Sequence, residues 1–556
     1  MTAPEPPAQA PVTPEKGRLQ HKRGAIRDNL EAFGVAILAA VLLKYFAIEA
    51  FQIPTSSMQP TMMGCVEAGV YDRLLVDKVR YHLTEPKRFD ILVFHYPLQK
   101  NQNYVKRVVG MPGDRLHIAG GNLYLVRDAG GKRVYDVLRK PPRIQDVMWR
   151  EVYPYRRLLR EDDRAIGDGK CFFGAPRGKW TEDGDSITAA LQGESPVRLF
   201  YSDETDGGMV DRVWDGYTIP VGRDMRRRFF AADQAQEIVP DVKFRTGLEV
   251  DGTLQECAFE IEVRRPETDT LIYALVLSNG KGRLLVRKLA GDVLESSPEF
   301  PCEMPSGATT DIAFARLDDM LYAWREGEEI QRLDVAAWPT REGCELGGPA
   351  ARATHYAKPQ IVAKGRGRLV LHDLHLWRDQ HYVRSSRAKD EIIEVPEGCY
   401  FMMGDNTRQS VDSRDWMSIA VGLLPDGRMV PPDQARGVEG GRIVVGNRRP
   451  VSPNSPPDRD ETPVVFPDRN EMVMIDEFGE IRRMKTGIGP NYGQQDAHNG
   501  VAMTFQPIGS SDGSSDWTPP SEHVAFVRRE HIVGRALVAF WPIWPFAKQT
   551  RLGFYR

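Results

Sequence analysis

The pattern of apolar and polar positions changes several times along the chain. An uncharged apolar run fills residues 32–43 and continues to residue 51, interrupted only by Lys44 and Glu49. These twenty residues, at a helical rise of about 1.5 Å each, match the roughly 30 Å hydrocarbon core of a bilayer. The run therefore predicts one transmembrane helix over residues 32–51.

The segment before this helix has the opposite character. Residues 1–31 contain five prolines and five lysines or arginines but few large apolar side chains, which predicts a basic disordered tail. Its positive charge predicts a cytoplasmic tail and the export of everything after the helix. Two alternatives stay open. A cleaved signal sequence has an apolar core of the same length, and a buried core helix is possible but leaves the charge asymmetry unexplained.

Beyond residue 51 the chain consists mainly of short alternating or apolar runs, typical of antiparallel strands. The spacing of such runs in residues 132–389 predicts an inserted β-sandwich. Residues 424–520 are rich in Pro, Gly, Asp and Ser, so we expect mostly loop there, with one hairpin across Phe478 and Gly479. The strands predicted before the insertion lie at residues 74–79, 90–94, 105–109 and 116–126.

Composition narrows the classes of function. The chain has 556 residues, with 74 Lys and Arg against 77 Asp and Glu, and a net charge of -3. This balance gives no overall attraction to nucleic acid, so no nucleic-acid partner is expected. The six cysteines never form a C-x-x-C pair, which signals neither a zinc site nor a dense disulfide framework. We predict no metal and no cofactor, and the redox state of the cysteines stays open.

The first cluster of candidate chemistry follows the apolar run directly. The sequence IPTSSMQPTM occupies residues 53–62 and places hydroxyl groups between Pro54 and Pro60. Proline fixes φ and withholds a backbone donor, so this segment is expected to be stiff and non-helical. Such rigidity suits a nucleophile, although a Ser/Thr-rich membrane exit loop has the same composition.

The second cluster, YVKRVVGMPGD at residues 104–114, places a lysine inside an apolar strand. With a two-residue period Lys106 shares a face with Val108, and Arg107 points the other way. Burial of the Lys106 face lowers the pKa of the ammonium toward the range of a general base, and the charge of Arg107 is expected to act in the same direction. An ordinary exposed strand lysine is the alternative.

The third cluster, MMGDNTRQSVDSR at residues 402–414, combines a glycine turn with acid, amide, hydroxyl and guanidinium groups. Such groups can orient a base through hydrogen bonds. A calcium-binding loop is the alternative, because Asp405, Asn406 and Asp412 offer oxygen ligands. The EF-hand order is absent, however, and Arg408 and Arg414 would repel a cation.

In combination, the clusters resemble the bacterial type I signal peptidases, which are membrane-anchored leader peptidases. The resemblance rests on P-x-x-S-M-x-P-T, R-x-D-I-x-V-F, K-R-V-x-G-x-P-G-D and G-D-N with S-x-D-S-R, in this order behind one N-terminal apolar run. The sequence VRREHIVGRA at residues 527–536 looks like the closing strand of the family. One departure is visible, because Asn406 is followed by TRQ where the family commonly reads R-D-N.

The resemblance implies a mainly β fold, with an antiparallel catalytic domain behind one transmembrane helix. It implies a serine endopeptidase with Ser57 as nucleophile and Lys106 as general base. Thr55 and the backbone N–H of Ser57 would form the oxyanion hole. Supporting roles are implied for Gly404 in the turn, Ser410 as hydrogen-bond partner of Lys106, and two ion pairs, Asp412 with Arg414 and Arg107 with Asp405.

The same resemblance divides the chain. Residues 52–131 and 390–423 would be two parts of the peptidase domain, and residues 521–556 its closing strand and aromatic tail. The insertion at residues 132–389 exceeds the usual accessory domain of the family and is expected to be a separable module. Within it His372 and His375 fall on opposite faces by strict strand alternation, which argues against a metal site. The run that holds them is only weakly similar to the last strand of concanavalin-like jelly rolls.

We therefore expect a peptidase in the cytoplasmic membrane with its catalytic domain outside. Its expected partners are membrane lipid and secretory pre-proteins with signal peptides, cut after a small residue because shallow pockets exclude larger ones. The aromatic run at residues 539–546 would dip into the membrane interface or pack on the core. Two alternatives remain: a decayed peptidase whose insert makes it a surface binding or adhesion protein, and a self-cleaving Ser/Lys regulator.

Overall fold

The computed structural model describes residues 25–65, 70–153, 172–174, 180–183, 185–202, 208–211, 237–264, 270–335, 356–384, 392–408, 410–447, 464–466, 471–485, 487–488, 495–496, 500–501, 505–506, 521–523, 526–541 and 553–554. This part of the chain is mainly β, as predicted. The chain divides into two compact units, Met1–Glu49 and Ala50–Arg556. Most of the expected basic tail and residues 542–546 of the aromatic run lie outside the described residues.

The first unit contains the predicted apolar helix. It spans Ala25–Leu42 and continues as a π-helical turn, Leu43–Ala47. The stretch Asn29–Ala47 is long and apolar enough to cross a membrane. The predicted end at residue 51 is wrong, because Ile48 is already extended at φ -136° and ψ 132° and begins the strand Ile48–Gln52. That strand alternates in exposure, which is a two-residue rather than a helical period.

An eight-stranded sheet carries the sequence clusters. We call Gln99–Gly110 the lysine strand; it pairs antiparallel with Ile91–Tyr96 on one side and Cys399–Met403 on the other. The predicted closing strand is divided by the 3₁₀ turn Arg529–His531. In spatial order the strands are Ile48–Gln52, Arg73–Asp77, Ile532–Trp541, Ile91–Tyr96, Gln99–Gly110, Cys399–Met403 and Phe526–Arg528, and Gly553–Phe554 pairs with Ile532–Trp541.

A four-stranded sheet follows the lysine strand along the chain. Gly120 and Gly121 turn the chain with φ of 56° and 86°, so the single strand predicted at residues 116–126 is in fact a hairpin. Its last strand, Lys132–Val137, pairs with the preceding one, so the insert does not begin at residue 132. An alternating run does not reveal which sheet it joins, which explains the error. The order is Ile393–Glu394, Arg115–Ala119, Asn122–Ala129, Lys132–Val137.

The insert is built on one sheet of thirteen strands. Its two central strands, Val242–Arg264 and Tyr356–Arg378, pair with each other along their length. One large apolar core cluster draws on strands throughout this sheet, and the predicted β-sandwich stays a prediction. The remaining strands are Arg150–Tyr153, Phe172–Gly174, Trp180–Asp183, Ser186–Ser202, Leu271–Ser278, Lys281–Lys288, Val293–Ser296, Phe300–Pro301, Thr309–Leu317, Met320–Arg325 and Glu328–Asp334.

Glycines allow the two central strands to approach closely at mid-length. Gly252 and Gly367 are register partners, with φ of 127° and 118°. A Cβ at Gly252 would lie 2.2 Å from the carbonyl oxygen of Arg366, and one at Gly367 would lie 2.1 Å from that of Asp251. Only glycine combines this backbone conformation with this spacing.

A buried charge cluster lies where the insert meets the chain that leads into it. Three carboxylates, Asp241, Asp318 and Asp379, come within 4.8 Å of one another, a spacing that can hold a metal ion. The chain supplies its own cations instead. Lys140 Nζ lies 3.0 Å from Asp318 and 2.8 Å from Asp379, and Arg316 pairs with Asp241.

The region at residues 424–520 has more strand than its composition predicts. The predicted hairpin is confirmed, with Gly479 at φ 84° in its turn. The strands here and in the small remaining sheets are Gly64–Cys65, Val70–Tyr71, Met417–Leu423, Met429–Val430, Arg442–Asn447, Val464–Phe466, Glu471–Ile475, Ile481–Lys485, Gly487–Ile488, Gln495–Asp496, Gly500–Val501, Phe505–Gln506 and Ser521–His523. The short helices are Arg80–Leu83, Pro142–Met148 and Pro432–Arg436.

Candidate active site

Ser57 lies on a short 3₁₀ turn, Ser56–Met58, which we call the nucleophile turn. Ile53 and Met58 are buried against the eight-stranded sheet, and so is Met62 a little further on. These apolar anchors fix both ends of the turn while Ser57 remains half-buried. The Thr55 and Ser57 hydroxyl oxygens are 3.4 Å apart, so the two hydroxyls share one site.

Two residues outside the sequence motifs hold this turn in place. Asp72 accepts a hydrogen bond from the Ile53 N–H at its carbonyl, 2.9 Å, and from the Met63 N–H at its carboxylate, 2.8 Å. Gly64 passes so close that a Cβ there would lie 2.3 Å from the carbonyl oxygen of Thr55. Sequence analysis missed both residues, because a single Asp or Gly outside a motif does not indicate which segment it contacts in the fold.

Lys106 is buried in the lysine strand, with 3% of its surface exposed. Its register partner is Leu92, and Val108 two residues on is fully buried in an apolar cluster. The Lys106 ammonium donates a hydrogen bond of 3.0 Å to the Ser410 hydroxyl. Burial lowers the pKa of Lys106 to about 8, although the carboxylate of Asp412 opposes this.

The predicted contribution of Arg107 to that shift is not what the structure shows. Arg107 turns away from Lys106 and donates to both carboxylate oxygens of Asp405 at 2.7 Å, and to the carbonyl of Phe89 at 2.8 Å. The cation that lowers the pKa of Lys106 is Arg414. Burial alone would raise the pKa of Asp405, but its pairing with Arg107 holds that pKa below the usual value.

The loop at residues 404–414, which we call the bracing loop, is built around a second ion pair. Asp412 is fully buried and accepts hydrogen bonds from Arg414 and, at 3.0 Å, from the backbone N–H of Gly404. Arg414 outweighs the effect of burial and keeps the pKa of Asp412 low. The ion pair closes the loop on itself and thereby presents Ser410 to Lys106.

The bracing loop also contacts the nucleophile turn. The backbone N–H of Asn406 donates to the carbonyl of Ser57 at 3.1 Å, and its side-chain amide donates to the carbonyl of Ser56 at 3.2 Å. A Cβ at Gly404 would lie 2.3 Å from both the Ser57 carbonyl oxygen and the Ser410 hydroxyl. Only a glycine fits between them.

The structure thus brings every predicted site residue into one cluster. Thr55 and Ser57 lie on one side, and Lys106 with Ser410 lies on the other. The two predicted ion pairs flank them. Among the hydrogen bonds of the described residues none joins Ser57 to Lys106 directly; the connection runs through the bracing loop. Calcium ligation by this loop is not supported, because Asp405 and Asp412 each pair with an arginine.

The two histidines of the insert do not form a metal site within the described residues. A bulge in the strand shifts the register, so His372 faces Gly247 and His375 faces Arg245. The prediction of opposite faces assumed strict alternation and is therefore wrong. His372 pairs with Glu249 at 2.7 Å, and His375 pairs with Glu151 at 2.5 Å and with Asp373 at 3.0 Å.

Comparison with known proteins shows a similarity to one family of peptidases. A model of the signal peptidase family, peptidase S26, matches residues 26–172 and 352–436. The unmatched stretch between these two segments belongs to the insert. Over these two segments the chain is similar to the S26 signal peptidases.

Curated relatives agree with this similarity. Signal peptidase I of Leptolyngbya laminosa is 33% identical over 152 residues, which cover 26% of this chain and 66% of that protein. Probable signal peptidase I-1 of Synechocystis is 38% identical over 106 residues, 18% of this chain and 51% of that protein. Signal peptidase I of Aquifex aeolicus is 28% identical over 153 residues, 26% and 56% respectively. The chain thus spans between half and two thirds of these relatives.

Solved structures add little. The β-glucanase of Bacillus licheniformis aligns with 38% of this chain and 87% of its own at 6% identity, with a TM-score of 0.22. A score this low supports no statement about the fold or ligand of the insert.

Proposed function

We propose that this protein is a membrane-anchored serine endopeptidase that removes signal peptides from exported pre-proteins. One observation carries the proposal above all. Lys106 is buried beside the nucleophile turn, its hydrogen-bond partner is a neutral hydroxyl, and its pKa falls to about 8. An ordinary lysine with a pKa of about 10.4 is almost fully protonated at neutral pH and is a poor base.

In this proposal neutral Lys106 takes the proton of the Ser57 hydroxyl as Ser57 Oγ attacks the scissile carbonyl carbon. The resulting ammonium then gives that proton to the leaving amine, which leaves an acyl-enzyme. Lys106 next takes a proton from the water that attacks the ester and returns it to Ser57 Oγ as the ester bond breaks, which releases the second product and restores the Ser57 hydroxyl and neutral Lys106. Catalytic hydrogen bonds often tighten only with substrate bound, so a Ser57–Lys106 contact would form at that stage.

Thr55 and the backbone N–H of Ser57 would stabilise the tetrahedral oxyanion. The 3.4 Å separation of the two hydroxyl oxygens supports a shared site. Donors fixed before the reaction reorganise little as charge develops. The buried pairs Asp412 with Arg414 and Arg107 with Asp405 hold the bracing loop and so position Ser410 and the nucleophile turn.

The apolar helix supports a membrane location. We propose that the tail before it is cytoplasmic and the second unit extracytoplasmic, following the positive-inside rule. The substrate would then be a pre-protein whose signal helix lies in the same membrane, cut after a small residue. Lipid is the second partner, and the near-neutral net charge of -3 gives no reason to expect nucleic acid.

The test is to incubate the detergent-solubilised full chain with a purified pre-protein and to sequence the new N-terminus. Wild type and Ser56→Ala should cleave at one site, since no side-chain hydrogen bond of Ser56 contributes to the described site, whereas Ser57→Ala should not cleave. Cleavage by Ser57→Ala would exclude Ser57 as nucleophile. An intact pre-protein with wild type would favour the adhesion alternative, and cleavage of this chain alone would favour the self-cleaving regulator.

A further inference from the structure

The insert enters and leaves the peptidase part at one place. Its first strand, Arg150–Tyr153, pairs with the end of its last strand, Tyr356–Arg378, so that Arg150 lies opposite Arg378. Gln380 lies two residues beyond Arg378. Both Arg150 and Gln380 are 5% exposed, so neither is a surface residue.

Both side chains contact Asp405 of the bracing loop. The Gln380 amide donates to the Asp405 carbonyl oxygen at 2.6 Å. Arg150 Nη2 lies 3.5 Å from the Asp405 carboxylate and donates to the Thr61 hydroxyl at 2.7 Å. Thr61 itself donates to the same carboxylate. Gln380 therefore contacts the backbone of Asp405, and Arg150 contacts its carboxylate.

One peptide group connects these contacts to Ser57. The carbonyl of Asp405 and the N–H of Asn406 belong to the same planar peptide unit. Gln380 binds the carbonyl end, and the N–H end donates to the carbonyl of Ser57 at 3.1 Å. Rotation of that peptide plane would move the donor away from Ser57, and Gln380 opposes this rotation. Hydrogen bonds in such a chain also strengthen one another.

We propose that Gln380 and Arg150, at the junction where the thirteen-stranded sheet joins the peptidase part, are positioning residues of the peptidase. They act through the 405–406 peptide group and the Asp405 carboxylate, and they set where the nucleophile turn sits relative to the bracing loop. The insert is then part of the catalytic apparatus and not a separable module. This inference rests on the proposed function for its main readout.

The experiment uses Gln380→Met, which keeps the side-chain length and removes the donor. Its control is Gln360→Met, because Gln360 is similarly buried, on the strand that precedes Gln380, and donates at 2.8 Å to Glu260, within the insert. Gln360→Met loses one buried hydrogen bond, whereas Gln380→Met loses the bond to Asp405 and a longer one of 3.4 Å that its Oε1 accepts from Arg150, so we expect a somewhat larger loss of Tm for Gln380→Met. A small displacement of a reacting group can cost up to about 10²-fold in rate.

For Gln380→Met we expect kcat on a model pre-protein to fall by about 10-fold with KM nearly unchanged. That pattern indicates weaker stabilisation of the transition state and unchanged substrate binding. Gln360→Met should keep the wild-type kcat. The rate at which a small fluorophosphonate labels Ser57 should fall in parallel for Gln380→Met alone. That readout needs no pre-protein, so it still tests this inference if the wild type labels but does not cleave, which would count against the proposed function only.

Arg150→Lys is the second variant and carries the test if Gln380→Met does not fold. It keeps a charge near Asp405 but loses the planar fork of the guanidinium, so an intermediate loss of labelling and kcat is expected. Wild-type rates in the folded Gln380→Met or, failing that, in Arg150→Lys would overturn the proposal. Equal rate losses in Gln360→Met would also overturn it, because the effect would then be one of stability.

Discussion

Two lysines of this protein, Lys106 and Lys140, are buried to nearly the same degree, yet their pKa values shift in opposite directions. Lys106 in the eight-stranded sheet donates to a hydroxyl, and burial lowers its pKa to about 8. Lys140 beside the insert lies 3.0 and 2.8 Å from two carboxylates; burial pulls its pKa down as well, but Asp318 and Asp379 raise it above the ordinary value. Burial alone therefore does not make a base. The partner decides whether a buried lysine becomes a reagent or a structural cation.

The largest expected effect comes from Lys106→Arg. Arginine does not deprotonate at working pH, so a residue that keeps the charge should leave no measurable cleavage of pre-protein. Lys100→Arg is the matched control on the same strand, where Lys100 pairs with Glu477 and is partly exposed; it should cleave normally. Near-normal cleavage by Lys106→Arg would show that the base lies elsewhere.

Lys140→Met should lower the free energy of unfolding by about 3–5 kcal/mol, because it leaves buried Asp318 and Asp379 without their cation. The raised pKa of Lys140 means that its contribution is fully present at pH 7 and is lost only as pH rises through that pKa. Urea unfolding at pH 7 measures the change. Lys281→Met, at an exposed ion pair with Glu299, should change the unfolding midpoint little. If Lys140→Met were as stable as wild type, Lys140 would not be a structural cation, and the proposed difference between the two lysines would be wrong.

The pH dependence of cleavage tests the other half of the contrast. Because only neutral Lys106 acts, kcat should rise about 10-fold per pH unit well below a pKa of about 8 and level off above it. With an ordinary lysine as base, the rise of kcat would occur more than two pH units higher. A flat profile between pH 6 and 9, measured on a substrate without titrating groups, would argue against a lysine base.

Thr55→Ala should lower kcat by about 10²-fold with little change in KM, the usual scale for losing one oxyanion donor. Thr55→Ser keeps the hydroxyl and should remain active. Steady-state kinetics of the pair gives the answer. Equal rates in both variants would remove Thr55 from the mechanism and leave the Ser57 N–H as the only proposed donor.

The smallest expected effect is on the stability of Lys106→Met. Its free energy of unfolding should rise, whereas that of Lys140→Met should fall. The lowered pKa of Lys106 means that its charged form is disfavoured in the fold, fully so below about pH 8, and that the penalty fades as pH rises toward 10.5. Lys106→Met should therefore be inactive but more stable than wild type by about 2 kcal/mol at pH 6. Unfolding in urea at pH 6 and again above pH 10 should show the gain shrinking. A loss of stability at pH 6 would mean that Lys106 is compensated as Lys140 is.

Sequence analysis located the proposed reacting groups because the motifs that resemble the peptidase family are short and continuous. Ser57, Lys106 and Ser410 were named from the resemblance of three such runs taken together, and the alternating runs indicated the mainly β fold. What it missed depends on which distant groups pack together. Arg150 and Gln380 have no motif, and the neutralisation of Arg107 by Asp405 is visible only once the strands are paired.

The predicted start of the insert was wrong for the same reason, because it depends on which strands pair. The strand Lys132–Val137 alternates like a sandwich strand but pairs with Asn122–Ala129. Replacing residues 132–389 by a linker was expected to leave some cleavage. The structure now leads us to expect loss, because that deletion removes a strand of the four-stranded sheet and both proposed positioning residues.

The hydrogen bond between Lys106 and Ser410 also has a consequence for biogenesis. Its two ends are 304 residues apart, and the insert lies between them. A ribosome adding about 5–20 residues per second needs roughly 15–60 s to make that interval. During this time Ser57 and Lys106 already exist on the nascent chain, but the bracing loop that completes the proposed site does not. In the proposed mechanism the nascent chain is therefore expected to be inactive until the insert and the bracing loop have been synthesised.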